Sequence, residues 1–302
     1  MYVSHEVPLA LLKESRVFND IDYALVHLFE KYPDYYKFFE ESIQMGRTVY
    51  LDNSLYELGS SFDPGQFLKW INTLHPTHYI IPDTFWNAEK TIEQAMDWFL
   101  NYAPKIQQPS FAIGVAQGKS YEAIVKSYRF MCSVADVVAF TFKFDPNFVS
   151  NSKNVDFREE FTNIWAQVSG WCDSKNEDTL RNATIRYALL KRMAADGIID
   201  KFKPHHLLGV QNTLFLANIS KEFEWISSID TSNPIIYGLS GCRYMWCGID
   251  NHIGNSVKPK PVQVLADYFE KPICVDQFDC VRYNVQIFNR LAKQEINKLT
   301  NA

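Results

Sequence analysis

Carboxylates and amides stand at the ends of short apolar runs along this chain, which is the pattern a polar site built from strand ends would leave. Asp52 and Asn53 close TVYLDN, Asp83 closes HYIIPD, Gln117 closes FAIGVAQ and precedes Gly118, and Asp230 closes WISSID before Thr231 and Ser232. The run HLLGVQ ends in Gln211 after Leu208 and Gly209. Taken singly, an Asp after an apolar run reads as a turn former or a helix N-cap. Three at equivalent strand ends, with amides between them, read as a site. A ring of Asp and Gln without a metal-ligand histidine pattern suits a planar, donor-rich heterocycle, because carboxylates accept hydrogen bonds in the plane of such a base. Carboxylates also suit displacement at a sugar anomeric carbon, where one attacks and another group handles the leaving group's proton.

These residues need strands to aim them. Runs rich in β-branched and aromatic residues recur as Tyr2 to His5, Tyr23 to Leu28, Thr48 to Asn53, His78 to Asp83, Phe111 to Gln117, Val137 to Phe142, His206 to Gln211 and Trp225 to Asp230. Amphipathic helical patterns lie between them at Tyr35 to Met45, Gly65 to Leu74, Asn87 to Tyr102, Ser120 to Cys132 and Leu214 to Phe223. Strand and helix in alternation predict an α/β fold of the (β/α)8 TIM-barrel type, in which the C-terminal strand ends share one mouth. A doubly wound open sheet is the rival, but no GxGxxG or GxxxxGK[ST] turn is present. The whole of 1–302 reads as one barrel domain. A helical insertion over 145–204 holds helices at Phe157 to Val168 and Glu177 to Ala195. A C-terminal loop and helices over 232–302 follow, with a final helix from about Pro261 broken near KPICVD.

Composition allows a large core: 47% of the 302 residues are hydrophobic, and Phe, Tyr and Trp number 22, 16 and 7. Disordered, collagen-like and solenoid classes are excluded by that core and by the lack of a repeat. No apolar run reaches the roughly 18 residues of a spanning helix, and the start MYVSHEVPLALLKES lacks a signal-peptide pattern, so a soluble, unprocessed, cytoplasmic chain is expected. The formal net charge of −5 does not mark the molecule as a nucleic-acid binder, though a local basic face is compatible with it. Six irregularly spaced cysteines read as reduced thiols, not a disulfide framework. Cys242, Cys247 and His252 lie near one another in sequence without a CxxC pair, so no zinc or other cofactor is expected.

The strand-end motifs together resemble the tRNA-guanine transglycosylase superfamily, and within it the phage DNA 7-deazaguanine transglycosylases, over roughly Met1 to Gly241. VYLDNSLYELG is similar to the segment that sets an Asp and a small polar residue against the base, and YIIPDTF to the strand whose Asp reads it. FAIGVAQG is similar to the family's Gln-Gly run, and HLLGV to the strand just before the nucleophile strand. The resemblance implies that Asp230 is the nucleophile and that Asp52 acts with it. It implies that Asn53, Asp83, Gln117, Gly118, Leu208 and Gly209 bind the base, with Phe85, Tyr56 or Tyr237 as candidates to sandwich it. VDQFDC at 275–280 copies the family's nucleophile letters, but it follows the eighth strand, so Asp279 is not expected at the mouth. The family's CxCxxC zinc spacing is absent, and the chain ends soon after the barrel, which favours the DNA-acting branch.

The implied activity is exchange of guanine in DNA for a free 7-deazaguanine such as preQ0, through a covalent glycosyl-aspartate and without a nucleoside triphosphate. Alternatives are a tRNA-guanine transglycosylase and a non-catalytic accessory barrel of the same family. Lys119, Lys143, Arg243, Lys258 and Lys260 follow strand ends or lie in the loop after the eighth strand, and are candidates for phosphate contacts. Lys153, Arg158, Arg181, Arg186, Lys191 and Arg192 make the insertion a second candidate platform. The partners implied are DNA or tRNA and the free base, not a membrane; the sequence leaves a homodimer open.

Overall fold

The computed structural model describes residues 1–171, 177–210, 213, 215–246, 253–255 and 265–294. Eight parallel strands form a nearly closed barrel with helices between them, a (β/α)8 TIM-barrel fold. They are β1 (Tyr2–His5), β2 (Asp22–Leu25), β3 (Val49–Asp52), β4 (His78–Ile80), β5 (Phe111–Ala116), β6 (Val137–Phe140), β7 (His205–Leu207) and β8 (Ile226–Thr231). From β2 to β8 each strand pairs in parallel with the next, and β8 pairs with β1, aligning Ser4 with Asp230. The β1–β2 seam is closed differently: Asn19 accepts from the His5 N–H (2.7 Å) and donates to the His5 carbonyl (3.0 Å). Beside it Asp20 accepts from the Val3 N–H and donates its own N–H to the Val3 carbonyl. A side-chain amide thus does the work of a ladder rung.

The helices are α1 (Leu12–Phe18), α2 (Pro33–Gln44), α3 (Leu55–Leu58), α4 (Pro64–Leu74), α5 (Ala88–Asp97), α6 (Tyr121–Val134), α7 (Phe148–Asn151), α8 (Val155–Val168), α9 (Glu177–Ala195), α10 (Leu216–Glu222), α11 (Asn233–Leu239) and α12 (Val275–Ala292). Their starts follow the chemistry of the chain. Asp63, Asn87, Ser120 and Asn154 cap α4, α5, α6 and α8 by accepting backbone N–H bonds, and Pro64 opens α4 where no donor is needed. Helices α7 to α9 fill the predicted insertion between β6 and β7. The C-terminal segment supplies α12, which packs on α10, α11 and β1 and ties down the seam: Asn289 reaches His5 and the Phe18 carbonyl, and Lys293 reaches Asp20. A short antiparallel pair, β9 (Tyr244–Trp246) and β10 (Ile253–Asn255), precedes it. Among the described residues no helix is long and apolar enough to cross a membrane.

Several strands end earlier than the sequence suggests, for local reasons. In the fourth, Ile81 still bonds to the Ile113 carbonyl, but Pro82 has no N–H with which to extend the ladder. In the seventh, the regular strand ends at Leu207 and Gly209 takes φ +53°, although Val210 still donates to the Asp230 carbonyl; Gln211 lies outside the described residues. The second strand tightens into a 3-10 turn at Val26–Leu28. The final helix starts at Val275, after a separate 3-10 turn at Leu265–Tyr268; residues 261–264 lie outside the described set.

Candidate active site

Parallel strands with a two-residue side-chain period present alternate positions to the barrel interior. Tyr50 on β3 meets His206 on β7 with ring centroids 5.4 Å apart, although these strands are not neighbours, so the two rings touch across the lumen. Two residues further along each strand, the same face carries Asp52 and Leu208. The same step takes Ser4 to Glu6, Tyr23 to Leu25, His78 to Ile80, Val115 to Gln117 and Ser228 to Asp230. Glu6, Leu25, Asp52, Ile80, Gln117, Leu208 and Asp230 all line one cavity of about 780 Å³ at this end of the barrel. That size suits a base-sized ligand with room for more.

Asp230, at 3% exposure, is held from two sides. His206 Nε2 lies 2.9 Å from its Oδ1, and the Gly209 N–H donates to its Oδ2 at 3.0 Å. The left-handed turn at Gly209 is what aims that N–H, and a Cβ there would stand 2.7 Å from the Phe142 ring. Asp83 is also held on both oxygens: Asn53 Nδ2 donates to Oδ1 and Gln117 Nε2 to Oδ2, each at 2.9 Å. Asn53 is itself tied to the Ile81 carbonyl, and Gln117 Oε1 accepts from the Trp86 N–H, so the two amides are oriented before any ligand arrives. Asp52 accepts from the Tyr23 hydroxyl and from the Ser54 N–H. Gly118 lets β5 run tight against α6, where a Cβ would meet the backbone of Ala123 and Ile124 at 2.7 Å.

Burial dominates the electrostatics. It pushes the Asp52 carboxyl up to about 6 against the hydrogen bonds from Tyr23 and Ser54, and Asp83 up to about 7 against those from Asn53 and Gln117. Glu6 and Glu57 line the same cavity. Burial, then the charges of Asp230, Glu57 and Asp52, and last a hydrogen bond with Asp230, raise Glu6 well above the usual range. Burial and the Asp52 charge raise Glu57 to about 8. At neutral pH these groups include proton donors as well as acceptors, side by side. Arg186 on α9 is buried at the same place and donates to the Leu208 carbonyl at 2.5 Å; burial lowers it to about 10, with Asp230 opposing.

Seven of the eight residues expected to do chemistry or bind the base converge: Asp52, Asn53, Asp83, Gln117, Leu208, Gly209 and Asp230 line the cavity, whereas Gly118 is not among the lining residues and packs against α6. Two expectations change in detail. The Gly209 N–H, expected on the base, is directed at Asp230 instead, and Gln117 is engaged by Asp83 and Trp86. Asp279 is exposed on α12 and is not among the cavity residues. Phe85, Tyr56 and Tyr237 do line the cavity.

Of the basic residues, Lys143 stands over Tyr56, Phe85 and Trp86 at 5.4 to 5.7 Å from each ring. Lys119 is exposed after β5, and Arg243 is exposed over the Tyr283 ring. Lys258 and Lys260 lie outside the described residues, as do Cys247 and His252. The insertion makes a poorer platform than its charges suggest. Arg186 is buried, Lys191 pairs with Glu160, and Arg192 pairs with Asp156 and Asp196.

Sequence reading passed over Glu6, Glu57, Tyr23, His206 and Trp86. Glu6 obeys the strand-end rule and follows the first strand directly. His206 was legible as an inward position only once the register that sets it beside Ser228 was known. Neither a protein-family model nor a curated protein matches the chain.

Proposed function

We propose that the protein is a transglycosylase that exchanges guanine in DNA for a 7-deazaguanine base through a glycosyl-aspartate on Asp230. The observation that carries this reading is the convergence of Asp52, Asn53, Asp83, Gln117, Gly209 and Asp230 on one base-sized cavity, with Asp83 gripped by both amides. In the first half-reaction the Asp230 carboxylate attacks C1′ of an extruded nucleotide. The C1′–N9 bond breaks, its electron pair goes to N9, and a protonated neighbour, Asp83 or Asp52, supplies a proton directly or through water. In the second half the incoming base returns a proton to that group, its N9 attacks C1′, and the Asp230 carboxylate leaves. Protons and electrons balance, and no triphosphate is consumed. Extrusion from a duplex costs a few kcal/mol of stacking. The aromatic group under Lys143 offers a surface for a flanking base and a cation for its phosphate.

The test is incubation with guanine-containing duplex DNA, and separately with tRNA, in the presence of labelled preQ0. Label entering DNA supports the proposal; label entering tRNA alone supports the tRNA enzyme instead. Label entering neither overturns exchange and favours the accessory barrel. Asp230→Asn is expected to lower exchange at least about 10³-fold, whereas Asp279→Asn, on the outside of α12, leaves it unchanged. Wild-type exchange by Asp230→Asn removes the nucleophile assignment.

A further inference from the structure

His206 is buried in the barrel interior beside the assigned nucleophile, and its ring packs against two tyrosines. Tyr23 stacks on it at 6.1 Å and 14°, and Tyr50 meets it edge-on at 5.4 Å. Its Nδ1 lies 2.8 Å from Ser228 Oγ, and that oxygen lies 3.5 Å from the Tyr50 hydroxyl. The cross-strand register pairs His206 with Ser228, so Asp230, two residues on along the same face, falls diagonally against the imidazole. A neutral imidazole facing the ionised Asp230 carboxylate donates from Nε2–H, which leaves Nδ1 to accept from the Ser228 hydroxyl.

We propose that His206 is a positioning residue for Asp230: as the Nε2–H tautomer it holds Oδ1 while the Gly209 N–H holds Oδ2, fixing the carboxylate plane at the cavity wall. The catalytic consequence rests on the transglycosylase reading; the tautomer and the bond do not. The need for such a donor follows from the surroundings. Glu6, Asp52, Glu57 and Asp83 face the same cavity, and an anion among four other carboxyl groups needs fixed donors to remain the one that attacks. The nearest buried cation, Arg186, is directed at the Leu208 carbonyl.

Two measurements decide the matter separately. In ¹⁵N imidazole spectra of the full chain, His206 is expected to carry its proton on Nε2, with Nδ1 unprotonated, and Asp230→Asn should move the Nε2 resonance. An Nδ1–H tautomer, or an Nε2 signal indifferent to Asp230→Asn, overturns the proposal whether or not the protein exchanges bases. In the exchange assay, His206→Leu is expected to lower kcat about 10²-fold while KM for the free base stays within about twofold. His206→Gln, which keeps an N–H near the Nε2 position, should recover most of that loss. Wild-type kcat in a folded His206→Leu protein, or no rescue by His206→Gln, overturns the positioning role. A wild-type protein inactive on both nucleic acids sinks the transglycosylase reading and leaves the spectra to judge the bond.

Discussion

Asp83 carries the clearest consequence of burial at a single residue. Its carboxyl is raised from an ordinary value near 4 to about 7, so the folded protein binds that proton more tightly than the unfolded chain does. The resulting stabilisation is complete below pH 4 and is lost as pH rises through 7. Asp52 and Glu57, raised to about 6 and about 8, act in the same sense over neighbouring pH ranges. The free protein should therefore be less stable at pH 8 than at pH 5 in urea unfolding, with Asp83 alone accounting for roughly 3 kcal/mol. Asp83→Asn should shrink the difference. A flat profile between pH 5 and 8 would show that these carboxyl groups are not held protonated. A bound base that donates hydrogen bonds should reverse part of the trend, because it favours the ionised forms.

At the scale of the element, strand ends do the positioning, and two of them depend on one residue each. Gly209 must keep φ +53° for its N–H to reach Asp230, and a side chain there meets Phe142. Gly209→Ala is expected to destabilise the fold by about 1–3 kcal/mol and to depress exchange beyond what that stability loss explains. Calorimetry read beside activity separates the two effects. Asn19 replaces the missing ladder between β1 and β2, so Asn19→Ala leaves the His5 N–H and carbonyl without partners. The expected loss is about 2 kcal/mol in denaturant unfolding, and an unchanged midpoint would mean that the seam is closed by other contacts. Because β1 leads directly to Glu6, opening the seam also loosens the cavity wall.

For the whole molecule, the barrel is completed by its last helix. Gly238 on α11 sits so close to α12 that a Cβ would approach the Val281 backbone to about 2.5 Å. Gly238→Leu should therefore lift α12 from β1 and lower the melting temperature sharply, with early proteolytic cleavage in the C-terminal segment. A net charge of −5 argues against a broad electrostatic footprint, so on the transglycosylase reading the phosphate contacts would fall to few cations. Lys143→Ala is expected to weaken DNA binding and to reduce the salt slope of log K by about 1. A slope that does not change would remove Lys143 from the phosphate contacts. The paired state of Lys191 and Arg192 leads us to expect little effect on DNA binding from mutating them.

The barrel was legible in the sequence because strand and helix periodicity are local properties of a chain. Apolar runs bounded by Gly, Pro and Asp mark the strands, and the caps Asp63, Asn87, Ser120 and Asn154 mark the helices that connect them. Strand-end position alone brought Asp52, Asn53, Asp83, Gln117 and Asp230 onto one list, since in a parallel barrel the end of every strand faces the same mouth. What the sequence did not contain was register and rotation. Those decide that His206 lies beside Ser228 and reaches Asp230, that Tyr23 donates to Asp52, and that the Gly209 N–H points at a carboxylate. They also take Arg186 from an apparently solvated helix into the wall of the site. Hydrogen bonds between residues more than twenty positions apart exist only after the sheet has closed, and burial, which sets the protonation of the acids, is a property of that closure.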